Sequence, residues 1–321
     1  MASASTRFSP TCPEAGLPPE MVETAAKDLL SPATLASVGN LELIARRVVD
    51  GLGQGLHRSS RFGFSQEFAE YRAYNEGDDT RFIDWNVAAR TGRSFIKRFE
   101  GETSTRITLM LDASASMNFG EPVSKLFQAR CLLASLAWLF RRQQDSAGLI
   151  VFDEKQRQVV PPGNSRASFT KVLAALERAG GEGGTDIPSV LDAWQRRGPR
   201  RGIVILVSDL YCEPEALARS LQSLRASGHD VSVFHVVDPE ESMPSVGRIS
   251  ALADMESGEK VIVDPAFLSG RYRERFARHL RALGDAARSA DARFISVSTA
   301  DRLDRVLPAW LGHGQSVGVA P

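Results

Sequence analysis

Residues 106–118 read Arg-Ile-Thr-Leu-Met-Leu-Asp-Ala-Ser-Ala-Ser-Met-Asn. An apolar run, Ile107 to Leu111, ends in a carboxylate, Asp112, and two hydroxyls, Ser114 and Ser116, at every second position. A run this short and unbroken, followed at once by polar residues and then by a long helical pattern, predicts a buried parallel strand. Asp112, Ser114 and Ser116 then sit where strand becomes loop, the ligand-binding edge of an open α/β sheet. Three hard oxygen groups at that edge suggest a site for a Mg²⁺-type ion.

Outward from this stretch the pattern alternates. Strands are predicted at 147–152, 202–208, 231–237 and 293–297, with helices at 123–144, 166–178, 188–197, 214–227, 265–289 and 301–311. Residues 246–264 read as a hairpin-like insertion turning at Ser257-Gly258. Hydrophobicity that is continuous within strands, and strands that alternate with helices, predict an α/β fold: a doubly wound, mostly parallel sheet with helices on both faces. This domain is expected over 106–312, with a C-terminal tail at 313–321. Upstream, residues 1–40 read as a partly disordered tail on their Ser, Thr and Pro content. Residues 41–105 read as a small accessory region, mostly β and irregular, packed against the α/β domain. It opens with an amphipathic helix capped by Asn40, with Leu41, Ile44, Val48 and Leu52 on one face, and includes a strand-like piece at 94–100.

Composition narrows the class. The 321 residues are 43% hydrophobic and 24% charged, as in a soluble globular protein, and long enough for a sizeable core. Lys plus Arg and Asp plus Glu are both 39, so net charge favours neither a nucleic-acid nor a membrane partner. The Arg-rich helix at 271–288 is interrupted by Glu274 and Asp285, and no nucleic-acid partner is expected. Cys12, Cys131 and Cys212 show neither metal-ligand spacing nor a disulfide framework. The N-terminus has no apolar signal core, and the most lipid-like run, Cys131 to Phe140, is about half a bilayer crossing. A cytoplasmic protein without a membrane span is expected.

Two further loops belong to the same sheet edge. Thr185 follows Gly180, Gly181, Glu182, Gly183 and Gly184, and Asp209 follows the apolar run ending at Ser208. Together, Asp112, Ser114, Ser116, Thr185 and Asp209 make a hard-oxygen site for Mg²⁺, or Mn²⁺, with few anionic ligands. Such a metal stays electrophilic, and an open position favours a carboxylate from a partner protein. Alternatives remain at single positions: Asp209 as a plain N-cap for the next helix, and Thr185-Asp186 as a cap for theirs.

This pattern resembles the metal-ion-dependent adhesion site of von Willebrand factor A (vWA) domains, a Rossmann-like fold, with every position of its five-residue motif filled. The resemblance implies that Ser114, Ser116 and Thr185 bind the metal directly, while Asp112 and Asp209 act mainly through water. The preceding segment is similar to the signature of the bacterial domain-of-unknown-function family 58. The matching residues are Ser65, Gln66, Glu67 and Phe68, then Arg72, Tyr74, Gly77, Asp78, Asp79, Arg81, Ile83, Asp84, Trp85, Ala89 and Arg90. The similarity extends over roughly residues 40–300. It implies a non-enzymatic, Mg²⁺-dependent protein-interaction module, paired with a MoxR-type AAA+ ATPase as adaptor or co-chaperone in the assembly or maturation of protein complexes.

The cluster Asp78, Asp79, Arg81, Asp84, Trp85 and Arg90 reads as an ion-pair network fastening the accessory region, with an acid capping the metal as the sharper alternative. The loop carrying His57, Arg58 and Arg61 reads as solvated. A rival function is metal-dependent phosphohydrolysis of the haloacid-dehalogenase kind. That chemistry looks for a second Asp two residues after the first, where this chain has Ser114, and for a late Lys that is missing here. No phosphate-binding Gly-x-x-x-x-Gly-Lys loop is present, so the chain is not itself the ATPase.

Overall fold

The computed structural model describes residues 30–56, 68–73, 85–91, 95–99, 105–198, 201–243, 252–253, 255, 260–261 and 271–312. The elements in chain order are α1 (Pro32–Val38), α2 (Leu41–Leu56), β1 (Phe68–Ala73), α3 (Trp85–Thr91), β2 (Phe95–Phe99) and β3 (Arg106–Asp112). They continue with α4 (Lys125–Arg142), β4 (Ser146–Phe152), β5 (Gln156–Gly163), α5 (Arg166–Arg178), α6 (Ile187–Gln195), β6 (Gly202–Ser208), α7 (Pro214–Ala226) and β7 (His229–Val237). The last are α8 (Pro239–Ser242), β8 (Leu252–Ala253), β9 (Lys260–Val261), α9 (Arg273–Ser289), β10 (Arg293–Ser298) and α10 (Leu303–Gly312).

Six strands form one sheet in the order β10-β7-β6-β3-β4-β5, parallel except for the edge strand β5. The strands are apolar throughout because both faces are covered. Along β3, Ile107, Leu109 and Leu111 enter one core and Met110 the other. In β6, Ile205 and Val207 face the first core, while Val204 and Leu206 face the second. The first core is filled from α2, α4, α5 and α10, the second from α6, α7 and α9. A doubly wound α/β sheet is the result, as the alternation of elements predicts.

β3 lies between β4 and β6. The chain leaves β3 toward β4 and β5, then returns to β6 and continues outward to β7 and β10. The order therefore reverses between β3 and β6, and the crevice beyond their carboxyl ends is where an open α/β sheet binds ligands. Asp112 ends β3, and Ser208-Asp209 ends β6.

Several details differ from the sequence expectation. β5 is an edge strand with mostly exposed or half-buried residues and Pro161-Pro162 near its end, so it lacks the apolar run that marks its neighbours. α3 is a helix in a stretch expected to be β or irregular, and α1 lies within the stretch read as tail. β8 and β9 pair antiparallel, as expected of a hairpin insertion.

Helix α2 belongs to the first core. Leu41, Ile44, Val48 and Leu52 are all buried in it, Asn40 Oδ1 accepts from Leu43 N at 3.0 Å at its start, and it packs against α4 and α10. Sandwiched between the sheet and α2, α4 is buried almost all round. Among the described residues no helix is long and apolar enough to cross a membrane.

Candidate metal site at the carboxyl edge of the sheet

Three loops supply the five residues singled out in the sequence, and the sheet brings them together. The first leaves β3. Asp112 is fully buried; its Oδ1 accepts from Ser114 N at 3.0 Å, which bends the chain back over the strand end. A short 3₁₀ turn, Ala115–Asn118, follows and sets Ser114 Oγ and Ser116 Oγ 3.1 Å apart, both side chains buried.

The Gly-rich loop is laced onto this turn by backbone. Ala115 N donates to Gly183 O at 2.9 Å, Glu182 N to Ala113 O at 3.0 Å, and Asn118 Nδ2 to Gly181 O at 2.7 Å. Gly183 has φ +73°, a left-handed conformation that other residues adopt at a cost, and it aims the chain so that Thr185 Oγ1 reaches Asp112 Oδ2 at 3.2 Å. The cap of α6 is Asp186, whose carboxylate accepts from Ser189 N, so Thr185 is not spent on capping.

The third loop leaves β6. Ser208 Oγ donates to Asp112 Oδ2 at 2.6 Å and accepts from Leu210 N at 2.8 Å. Leu210, fully buried, holds φ +55°, a conformation that costs a branched residue about 1–3 kcal/mol and tends to be retained at functional sites. Asp209 does not cap α7; that position is Glu213. Its Oδ2 accepts from Lys125 Nζ at 2.8 Å, while its Oδ1 is buried without a hydrogen-bond partner.

The electrostatics follow from burial. Desolvation first, and then the nearby Asp209 charge, push the Asp112 carboxyl up to about 7, against the opposing pull of its bonds from Ser208 and Ser114. The Lys125 ammonium already offsets Asp209 through Oδ2, and the unpartnered Asp209 Oδ1 is the oxygen that a second cation would relieve. The donors are three hydroxyls and two carboxylates, the hard-oxygen set suited to Mg²⁺ or Mn²⁺. Among the described residues no group of three or more His, Cys, Asp or Glu converges on a metal position, so any ion here relies on the hydroxyls.

Sequence reasoning missed Ser208, Lys125 and Glu241. Ser208 looked like the last residue of a strand. Lys125 was passed over at the start of an apolar helix, and Glu241 reaches it from a position 116 residues away in sequence. A lone Lys at the first position of such a helix is the signal that could have found it, because the helix dipole disfavours a cation there. Of the acidic cluster in the accessory region, Trp85 and Arg90 are exposed and the other members lie outside the described residues, as do His57, Arg58 and Arg61. Cys131 is a buried core residue and Cys212 a half-buried loop residue, both free.

The sequence matches the family described as "Protein of unknown function DUF58" over residues 70–286, more than half of the chain. It is 28% identical over 289 residues to the uncharacterized protein Rv1480 of Mycobacterium tuberculosis, covering 88% of this chain and 89% of that one. Similar solved structures include the conserved hypothetical protein BatB from Bacteroides thetaiotaomicron, at 18% identity and TM-score 0.46, covering 65% of this chain and 97% of that one. The SpRpn10 VWA domain is another, at 12% identity and TM-score 0.39, covering 68% of this chain and 99% of that one.

Proposed function

The chain belongs to the DUF58 family of proteins of unknown function, and we propose that it is a non-enzymatic protein-interaction module that docks its partner through a divalent metal. The observation that carries this reading is the buried carboxylate of Asp112, at the switch point between β3 and β6. Its Oδ2 takes hydrogen bonds from Thr185 and Ser208, beside the adjacent Ser114 and Ser116 hydroxyls. Ser114, Ser116 and Thr185 would hold the ion, with Asp112 and Asp209 behind them. The ion would supply an electrophilic point for an Asp or Glu side chain of a partner. Both Asp112 oxygens are already engaged by Ser114 N, Ser208 and Thr185, which suits a supporting acid and argues against a nucleophile for phosphoryl transfer.

The partner implied by the sequence resemblance is a MoxR-type AAA+ ATPase, with the chain serving as adaptor or co-chaperone in the assembly or maturation of protein complexes. Affinity purification of the full chain from its source cells, in Mg²⁺ and in EDTA, tests both parts. An AAA+ ATPase is expected in the Mg²⁺ sample and not in EDTA, nor with folded Asp112→Ala or Thr185→Ala. Undiminished capture in EDTA would sink the metal-docking reading.

A further inference from the structure

Lys125 is the first residue of α4, after the N-cap Ser124, and its side chain is 0% exposed. Helix stability does not call for a cation there: a helix N-terminus carries partial positive charge and favours anions. Burying an ammonium is also costly unless it is fully paired. Here it is paired twice, with Asp209 Oδ2 at 2.8 Å and Glu241 Oε1 at 2.5 Å.

Glu241 is held in place from α8. Its Oε2 accepts from Asp238 N at 2.9 Å, closing a capping box, and its Oε1 also accepts from Tyr211 OH at 3.1 Å. The Tyr211 ring lies 5.1 Å from Lys125 Nζ and the Phe119 ring 5.8 Å, so aromatic faces line the charge. Asp238 is in turn fixed by Thr299 Oγ1 at 2.6 Å, beyond the end of β10. The ammonium is therefore part of a built network spanning α4, the end of β6 and α8.

Asp209 thus has its charge claimed from within the protein. One of its oxygens bonds the ammonium and the other is buried and unpartnered. Two cations that draw on one carboxylate in a low-dielectric site oppose each other. We propose that Lys125 is a built-in counter-cation that weakens the metal's hold on Asp209, so that metal and a partner's carboxylate bind cooperatively. The incoming carboxylate makes up for the charge that the ammonium, shared between Asp209 and Glu241, withdraws from Asp209, and by linkage the metal strengthens the partner as much as the partner strengthens the metal. Glu241 tunes the effect by sharing the ammonium with Asp209. This inference rests on the metal-docking reading above and makes Lys125 a positioning residue for it.

The test is calorimetric titration of the full, metal-stripped chain with MnCl₂ and MgCl₂, with thermal unfolding measured in EDTA and in metal. Lys125→Met is expected to bind Mn²⁺ about tenfold tighter or more. Its unfolding temperature in EDTA should fall while its metal-induced gain grows, an opposition that a merely structural lysine would not produce. Glu241→Gln, which leaves the ammonium to Asp209 alone, is expected to bind Mn²⁺ more weakly. Unchanged or weaker binding by folded Lys125→Met overturns the inference. If Lys125→Met does not fold, Glu241→Gln decides: unchanged or tighter binding overturns it and weaker binding supports it. Mn²⁺ binding that is lost in Asp112→Ala but unmoved in Lys125→Met sinks this inference and leaves the docking reading standing. No binding by the natural chain sinks both.

Discussion

Ser208 Oγ lies 2.6 Å from Asp112 Oδ2 and joins the ends of the two strands between which the sheet reverses its order. The same hydroxyl accepts from Leu210 N and so holds the left-handed turn that carries Asp209. Ser208→Ala removes a bond to a buried carboxylate and leaves Leu210 N unpaired. A loss of about 1.5–3 kcal/mol in urea unfolding is expected, together with weaker Mn²⁺ binding. A stability equal to that of the natural chain would show that Asp112 does not depend on this hydroxyl.

Ile44 is fully buried in α2, although α2 precedes the sheet by many residues. Ile44→Ala should cost about 2–5 kcal/mol, the range for truncating a core aliphatic side chain. A chain beginning at residue 105 would leave the outer face of α4 uncovered. It should bind a hydrophobic dye and unfold at lower urea than the full chain. Equal midpoints for the two chains would mean that α2 is dispensable to this core.

β4 and β5 approach closely at Gly148. A side-chain carbon there would lie 2.7 Å from both Pro162 N and Val160 O, where the pairing register shifts. These neighbours are backbone, so the strand itself must move. Gly148→Ala should destabilise by about 1–3 kcal/mol through overpacking. Faster amide exchange confined to β5 would be its signature, and a neutral midpoint with unchanged exchange would contradict it.

His235 sits inside β7, buried, with Nδ1 3.3 Å from Ser296 Oγ and its ring stacked near Phe294. Burial pulls its pKa down from 6.5 to about 4, with the Asp209 charge working in the other direction. The unfolded chain then takes up a proton near pH 6.5 that the folded chain refuses until about pH 4. Its contribution to stability is level above that window and falls as pH drops through it, by at most about 1.4 kcal/mol per pH unit. His235→Gln should flatten this part of the stability profile in urea titrations at pH 7, 6 and 5. An unchanged slope would assign the acid sensitivity elsewhere.

Much of the fold was legible in the sequence because the relevant physics is local. Apolar runs such as 202–208 reveal strands covered on both faces, and Asn40 before a 3.6-residue apolar repeat reveals the start of α2. Asp112, Ser114 and Ser116 declare a polar strand end by spacing alone, and the Gly-rich approach to Thr185 signals a loop that bends tightly. β5 escaped because an edge strand is partly solvated and carries no continuous apolar pattern.

By itself the sequence determined that oxygen donors cluster at strand ends, and of which kind. Only the tertiary structure decided how they are wired. It put Asp112 and Ser208 across the switch point, relieved Thr185 and Asp209 of capping duty, and gave Asp209 to Lys125. Those choices join residues 84 and 96 positions apart, and their strength comes from burial in a low-dielectric edge, which no local pattern encodes. The stretch 106–118 therefore announces a polar strand end, while the ion pairs beside it are supplied by a lysine and a glutamate from other elements of the fold.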